Sequence, residues 1–304
     1  MFQTGDFLGI QRSSLAKSLK TSLRQNALAA GLVTSTQEAF GGFISNHQLV
    51  KLLEAFAPNS SGSPKARADL TILSAQQTFP LICQLLVQLS QSPVETKSVD
   101  STYPPDASKG AAVDLAALFN KYGSDKASSH NYHLFYAAIL QPIRLNRLRV
   151  LEIGLGTNNP DVVSTMGRSG RPGASLRALR DFLPNSEIFG ADIDRRILFE
   201  EERIKTYYAD QTNLQSLEEL AAALPGDGFD LIVDDGLHSP SANIATFMLA
   251  LRKLRSGGWF VVEDIAEKSV PIWQVISSIL PREYAVAILR GRSGFMFVVQ
   301  KHDR

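Results

Sequence analysis

From about residue 111 the chain alternates two hydrophobic rhythms. Apolar runs of strand length stand at 148–154, 187–193, 204–210, 229–235 and 258–264. Between them, apolar residues recur at helical spacing over 174–183, 196–203, 213–224 and 240–254. This βαβα order predicts a mostly parallel sheet covered by helices on both faces. The end breaks the rhythm. Runs at 284–290 and 294–300 flank Gly291-Arg-Ser and predict an antiparallel β-hairpin. Upstream, Leu15, Leu19 and Leu23, then Leu49, Leu52, Leu53 and Phe56, repeat at helical spacing. They predict a small helical domain over 1–92, with a Ser/Gly/Pro-rich loop at 58–64. Ser, Pro, Asp and Lys dominate 93–110, which reads as a linker, leaving 111–304 as the main domain.

Composition narrows the partners. The 304 residues carry 31 basic and 30 acidic side chains, a net charge of +1, so no global field points to nucleic acid or to an anionic membrane. The longest apolar region, 70–90, is interrupted by Gln76, Gln77, Pro80, Gln84 and Gln88 and is no membrane span. The first residues lack a basic head followed by an apolar stretch, so no secretory signal is evident and a cytoplasmic enzyme is expected. A single cysteine, Cys83, excludes an internal disulfide framework and a multi-cysteine zinc site. Its apolar surroundings predict a buried, inert thiol.

The chemistry gathers at the carboxyl ends of the predicted strands, where open α/β sheets bind ligands. The first strand ends in Glu152 and a Gly154-Leu-Gly156 turn, whose glycines let backbone approach a ligand closely. The second ends in Asp192, the third in Asp210-Gln211. The fourth ends in Asp234-Asp235 with His238 three residues on, and the fifth in Glu263-Asp264.

In this set and order the chain resembles the class I S-adenosylmethionine-dependent methyltransferases. More narrowly, it resembles the metal-dependent sugar O-methyltransferases of antibiotic biosynthesis, the macrocin and mycinamicin type. The resemblance covers roughly residues 115–300. It rests on Lys121-Tyr122-Gly-Ser124-Asp125-Lys126 with His130, Tyr132 and Tyr136, on Leu151-Glu152-Ile-Gly154-Leu-Gly156, and on Pro172-Gly-Ala-Ser175-Leu-Arg177. Tyr208-Ala-Asp210-Gln211, Asp234-Asp235-Gly-Leu-His238 and Glu263-Asp264 complete it. The resemblance implies a Rossmann-like methyltransferase fold of the α/β class. Its mostly parallel seven-stranded sheet ends in an antiparallel hairpin, beside a small helical N-terminal domain. It implies Tyr122, Ser124 and Lys126 as a lid over the cofactor, and a homo-oligomer formed through the N-terminal region. The stretch 158–163, extending to Gly170, departs from the pattern and reshapes the expected substrate mouth.

S-adenosylmethionine needs four kinds of partner. Gly154 and Gly156 admit backbone amides, and Glu152 is expected to take the amino group. Ser175 stands where a helix begins, as a plain cap or as a partner of the carboxylate. Asp192 is expected on the ribose diol, with Asp194 as the alternative; Asp210 and Gln211 near adenine; and Asp234 near the cofactor. Transfer of a methyl group to an alcohol also requires help with the hydroxyl proton. A divalent cation lowers the pKa of an oxygen bound to it, from about 15.7 to about 7 for water on catalytic zinc. Magnesium accepts oxygen ligands from a few carboxylates, and Asp235, Glu263 and Asp264 are the expected set. His238 is the expected general base. His130 and His133 are candidates for the acceptor pocket, Tyr132 and Tyr136 for packing, and His47 and His302 for the surface.

The acceptor is expected to be a small hydroxylated molecule, a sugar or a glycoside. A catechol-type phenol is the alternative within the same chemistry. A nicotinamide-binding oxidoreductase is disfavoured, because Thr157-Asn158-Asn159 replaces the third glycine of the dinucleotide fingerprint. A binding protein without catalysis has no use for an acid-acid-histidine set.

Overall fold

The computed structural model describes residues 45–59, 62–89 and 94–302. The helical reading of Leu15, Leu19 and Leu23 lies outside those residues. The chain divides into two compact units, residues 1–88 and 89–304. In the first unit, helix α1 (Asn46–Leu52) opens with a capping box: Ser45 Oγ accepts from the Gln48 amide at 3.3 Å, and Gln48 Oε1 accepts from the Ser45 amide at 2.9 Å. Helix α2 (Pro64–Leu89) runs through Pro80. Cys83 is half-buried rather than buried, because Leu81, Ile82 and Leu85 around it are themselves exposed. What burial it has still pushes its thiol pKa up.

The second unit is a nine-stranded mixed sheet among the described residues. In chain order its elements are β1 (Thr96–Ser98), α3 (Val99–Thr102), α4 (Ala111–Tyr122), α5 (Tyr132–Leu140), β2 (Arg149–Ile153) and α6 (Ala174–Phe182). Then come β3 (Glu187–Asp192), β4 (Glu200–Glu201), β5 (Ile204–Tyr208), α7 (Leu214–Ala223), β6 (Phe229–Asp234) and α8 (Pro240–Lys253). β7 (Leu254–Ile265), α9 (Val270–Ile279), β8 (Tyr284–Arg290) and β9 (Phe295–Lys301) complete it. The strand order is β1-β8-β9-β7-β6-β2-β3-β5-β4. The pairs β3/β2, β2/β6, β6/β7 and β3/β5 are parallel; β9 is antiparallel to both β7 and β8.

Nine strands replace the expected seven. The additions lie at the two sheet edges. β1 is three exposed residues, Thr-Lys-Ser, inside the span read as a linker, and β4 is the dipeptide Glu-Glu. Neither buries an apolar face, so neither leaves a hydrophobic pattern. For the same reason 196–203, read as a helix, is a single 3-10 turn (Arg195–Ile197) followed by β4.

Alternation along the strands fills both faces, because successive strand residues point opposite ways. Val150, Leu231, Val233 and Val261 pack with Leu115 and Phe119 of α4, Phe135 of α5 and Phe182 of α6. Leu151, Ile153, Ile232, Phe260 and Val262 pack with Leu217 of α7, Phe247 of α8 and Trp273 of α9. One irregularity bears on the site. Val262 pairs with Phe297 and Ile265 with Phe295, so β7 carries one extra residue across Glu263-Asp264, and Asp264 takes φ 55°. This β-bulge bends the strand at its carboxyl end and re-aims the two acids.

Trp273 is fully buried, its ring 4.6 Å from that of Phe297. Trp273→Ala is expected to cost about 3–5 kcal/mol through loss of burial and the cavity left behind, read as a lower urea midpoint at unchanged slope.

Candidate active site

The strand ends bring β2, β3, β5 and β6 around a cleft of about 460 Å³. Gly154, at φ 99°, forms its floor. A Cβ there would overlap the carbonyl oxygen of Asp235. The glycine is therefore required by protein backbone crossing protein backbone, before any ligand is considered. The Asp235 amide completes the crossing by donating to the Ile153 carbonyl at 2.8 Å. A Cβ on Gly156, at φ 76°, would meet only the flexible side chain of Met166.

The cleft wall is acidic. Asp161, Asp192, Asp194, Asp210 and Asp235 line it, with Arg196 as the sole cationic side chain among the described lining residues. Arg196 is spoken for by Asp194 at 2.6 Å and Asp161 at 3.1 Å. Asp192 Oδ2 accepts from the Leu155 amide and Oδ1 from the Asp194 amide, each at 2.8 Å; burial raises its pKa against these bonds. Asp194 accepts from Arg196, Thr157 and Asn159, and the Arg196 guanidinium leads in holding it well below the carboxylate range. Asp210 accepts from Thr212 through its amide at 2.9 Å and its hydroxyl at 2.7 Å.

Several expected cofactor residues stand elsewhere. Asp234 is fully buried and absent from the cleft wall. It accepts from Gln211 Nε2 at 2.8 Å and Asn243 Nδ2 at 3.0 Å, and so braces the loop after β6. Asp235, the next residue, points the other way and lines the cleft. Gln211 does line it, while its Oε1 accepts from the Leu237 amide at 2.9 Å. Tyr122 lines no described cavity; its hydroxyl donates to Asp181 at 2.6 Å. Glu152 is fully buried and lines none either. Ser175 is the second residue of α6, behind a Gly173 cap, and its hydroxyl donates to Glu152 Oε2 at 2.5 Å.

A second cavity of about 260 Å³ shares Gly154, Gly156, Ser164 and Asp235 with the first. Ser124, Lys126, Ser175, His238 and Asp264 also line it. Lys126 is 3% exposed and meets three carboxylates: Asp235 at 2.6 Å, Glu152 at 3.2 Å and Glu263 in a shorter pair. Burial alone would lower the ammonium pKa; Asp235, Glu263 and Glu152 reverse that and hold it well above the usual value. The other oxygen of Glu263 accepts from the Tyr136 hydroxyl. Burial, with the neighbouring acids, still drives the Glu263 pKa up. Asp264 accepts from the Tyr132 hydroxyl at 2.8 Å and lies 3.3 Å from His130 Nδ1. His130 bridges Asp264 and Asp125; chiefly through Asp125 its pKa rises to about 9, so it is an imidazolium at neutral pH.

Asp235, His238 and Asp264 each offer a donor atom within 4.8 Å of the others. Glu263, expected beside them, directs its two oxygens to Lys126 and Tyr136, and Lys126 also pairs with Asp235. His238, at φ 54°, has Nε2 4.0 Å from Asp235 Oδ1. His133 turns away and lines a separate cavity, its Nδ1 buried without a partner. His47 and His302 are exposed. The pairing of Lys126 with Glu152, Asp235 and Glu263 was missed: the resemblance gave this lysine as part of a lid over the cofactor, and nothing in the sequence brings Gly123-Ser124-Asp125-Lys126 onto the strand ends.

No family model matches the chain. Among curated proteins it is 31% identical over 160 residues to 8-demethyl-8-alpha-L-rhamnosyl tetracenomycin-C 2'-O-methyltransferase of Streptomyces olivaceus, covering 53% of this chain and 40% of that protein. It is 33% identical over 157 residues to demethylmacrocin O-methyltransferase of Streptomyces fradiae, covering 51% and 37%. It is 30% identical over 154 residues to mycinamicin VI 2''-O-methyltransferase of Micromonospora griseorubida, covering 50% and 36%. The matches thus take in about two-fifths of the length of these relatives. Among solved structures, the MycE methyltransferase of the mycinamycin biosynthetic pathway, in complex with Mg, SAH and mycinamycin VI, superposes with a TM-score of 0.50. That likeness is at 24% identity and covers 62% of this chain and 53% of that one. The fold is the Rossmann-like methyltransferase fold. In sequence the chain is similar to O-methyltransferases of the macrocin, mycinamicin and tetracenomycin type.

Gly154→Ala is expected to lower the thermal midpoint by more than Gly156→Ala. Both lose a favoured positive φ, but only the first strikes backbone. Scanning fluorimetry of the two variants checks this; equal midpoints would show that the crossing imposes no constraint.

Proposed function

We propose that the protein is an S-adenosylmethionine-dependent, Mg2+-assisted O-methyltransferase acting on a hydroxyl of a small molecule, a sugar or glycosylated natural product. The carrying observation is the junction of two cavities. An acid-walled cleft of nucleoside size opens, past Asp235, into a polar cavity bearing His238 and Asp264. The donor in the first would meet the acceptor in the second. The similarity to proteins named for 2'-O-methylation of a rhamnosyl tetracenomycin and for demethylmacrocin supports the same acceptor class.

The charges favour this cofactor over a dinucleotide. A pyrophosphate needs cations or free amides, and the only described cation of the cleft wall is consumed by two aspartates. A ribose diol and a sulfonium suit carboxylates. Among the described residues lining the second cavity there is no Phe, Tyr or Trp, which favours a polyhydroxylated acceptor over a catechol.

A divalent cation fits the donor set. Asp235 and Asp264 are held close enough that, after burial, the charge of Asp235 is the largest influence raising the Asp264 pKa. Asp235 and Asp264 would hold the cation, which when bound supplies Lewis acidity to the acceptor oxygens. The residues of the chain do the rest. Gly154 lets the chain after β2 pass the Asp235 carbonyl and so shapes the floor of the cleft. His238 takes the acceptor proton on Nε2 as the oxygen attacks the methyl carbon. The methyl group would pass to that oxygen with the carbon–sulfur electron pair left on sulfur, and the His238 imidazolium would later return its proton to water. The 4.8 Å spacing also favours a second reading, in which His238 is a third ligand.

Calorimetry is expected to detect S-adenosylhomocysteine and not NAD; binding of NAD alone would overturn the reading. With a panel of rhamnosides as acceptors, turnover should vanish on addition of EDTA and return with Mg2+. His238→Ala should bind S-adenosylhomocysteine and Mn2+ normally while turnover falls by about 100-fold or more, within the range of a lost general base. Loss of Mn2+ binding as well would make His238 a ligand; near-normal turnover would remove it from the chemistry.

A further inference from the structure

Positive charge is scarce around the two cavities, and nearly all of it is met by acids. In the first cleft Arg196 is held by Asp194 and Asp161. The second is lined by Asp125, Asp235 and Asp264, with Lys126 and Arg171 as its lysine and arginine. Lys126 pairs with three carboxylates. The Arg171 guanidinium has no ion pair or hydrogen bond among the described residues. It is nonetheless laid along a defined path. The Arg171 carbonyl accepts from the Ala174 amide at 3.0 Å, which fixes its backbone at the entry to α6. Its stem lies over Gly123, the left-handed residue at φ 85° that ends α4; a Cβ there would stand 3.0 Å from Arg171 Cδ.

We propose that Arg171 is the anion receptor of the site and takes a carboxylate in the second cavity. The proposal rests on the reading that S-adenosylmethionine is the cofactor. That molecule carries both signs: a sulfonium and an ammonium, which acidic walls attract, and a carboxylate, which they repel. Arg171 is the one lysine or arginine on the described walls of either cavity whose charge no carboxylate has met. A guanidinium presents paired N–H donors that fit a carboxylate at two points. Ala174 and Ser175, the first residues of α6, line the same cavity, and the amino end of a helix favours negative charge. Ser175 gives its hydroxyl to Glu152, which leaves Arg171 as the side chain ready for the anion. The carboxylate comes from the amino-acid end of the cofactor or from an acidic sugar serving as acceptor. The recognition is the same, and the sources are separable.

The test is calorimetry on the full chain, in the wild type, Arg171→Gln and Arg171→Lys, with S-adenosylhomocysteine and with 5'-methylthioadenosine. The second ligand keeps the nucleoside and the thioether and lacks the amino-acid end. If the cofactor supplies the carboxylate, Arg171→Gln weakens S-adenosylhomocysteine by about tenfold or more and leaves 5'-methylthioadenosine within about twofold, with partial recovery in Arg171→Lys. If the acceptor supplies it, S-adenosylhomocysteine binds all three proteins alike. The wild type then prefers 4-nitrophenyl glucuronide to the matching glucoside, and Arg171→Gln loses that preference. An arginine that only packs on Gly123 would move both nucleosides together or neither. Such parallel behaviour, with no preference for the glucuronide in the wild type, overturns the proposal. Failure of the wild type to bind either nucleoside overturns the cofactor reading instead, and the glucuronide comparison alone then decides for or against Arg171.

Discussion

The structure depends on how buried negative charge is balanced at one end of a sheet. Parallel pairing of β2, β6 and β7 forces Glu152, Asp235, Glu263 and Asp264 into one neighbourhood. Removing ions from water costs several kcal/mol each unless partners are provided. The partners come almost entirely from the segment between α4 and α5 and from α5 itself: Lys126, His130, Tyr132 and Tyr136. Leu115, Phe119 and Phe135 anchor these helices on the sheet, and that packing carries the polar segment across the strand ends. Hydrophobic burial on one face thus places the cations and hydroxyls that make an acidic site tolerable.

Backbone conformation tells the same story independently. Ser164, His238 and Asp264 are non-glycine residues at φ 67°, 54° and 55°, and all three line the second cavity. Such conformations cost of order 1–3 kcal/mol each and persist only where surrounding structure enforces them. For Asp264 the enforcing structure is the bulge against β9. For His238 it is the loop braced by Asp234 and Gln211, whose side chains are spent on it. Residues that look redundant with the site, an acid beside an acid and an amide beside an acid, are what hold it in shape.

The sheet and its acidic ends were legible in the sequence because long apolar runs announce buried parallel strands. The nearness of Asp235 to Asp264 followed from strand order. What escaped has physical causes. The edge strands β1 and β4 pair through backbone alone and have no apolar face to read. That Asp235 rather than Asp234 faces the cleft could not be read, because a period of two says that neighbours point apart without saying which one faces it. The different surroundings of Glu263 and Asp264 could not be read, because the one-residue bulge that separates them is decided by the register of β9, some 30 residues later. Ser175 looked like a helix cap, but the glycine two residues earlier takes that position and frees the hydroxyl for Glu152.

The stretch after Gly156, from Asp161 to Met166, ties the two cavities together. Asp161 and Val163 belong to the wall of the cleft, Thr165 and Met166 to that of its neighbour, and Ser164 to both, with its hydroxyl fastened to the Gly236 carbonyl at 3.0 Å. One short loop therefore serves as a party wall. Evolution, or an engineer, cannot remodel the chamber on one side for a bulkier guest without disturbing the tenant on the other. Changes in the shape of either chamber would be expected to arrive as compensated sets of substitutions rather than singly.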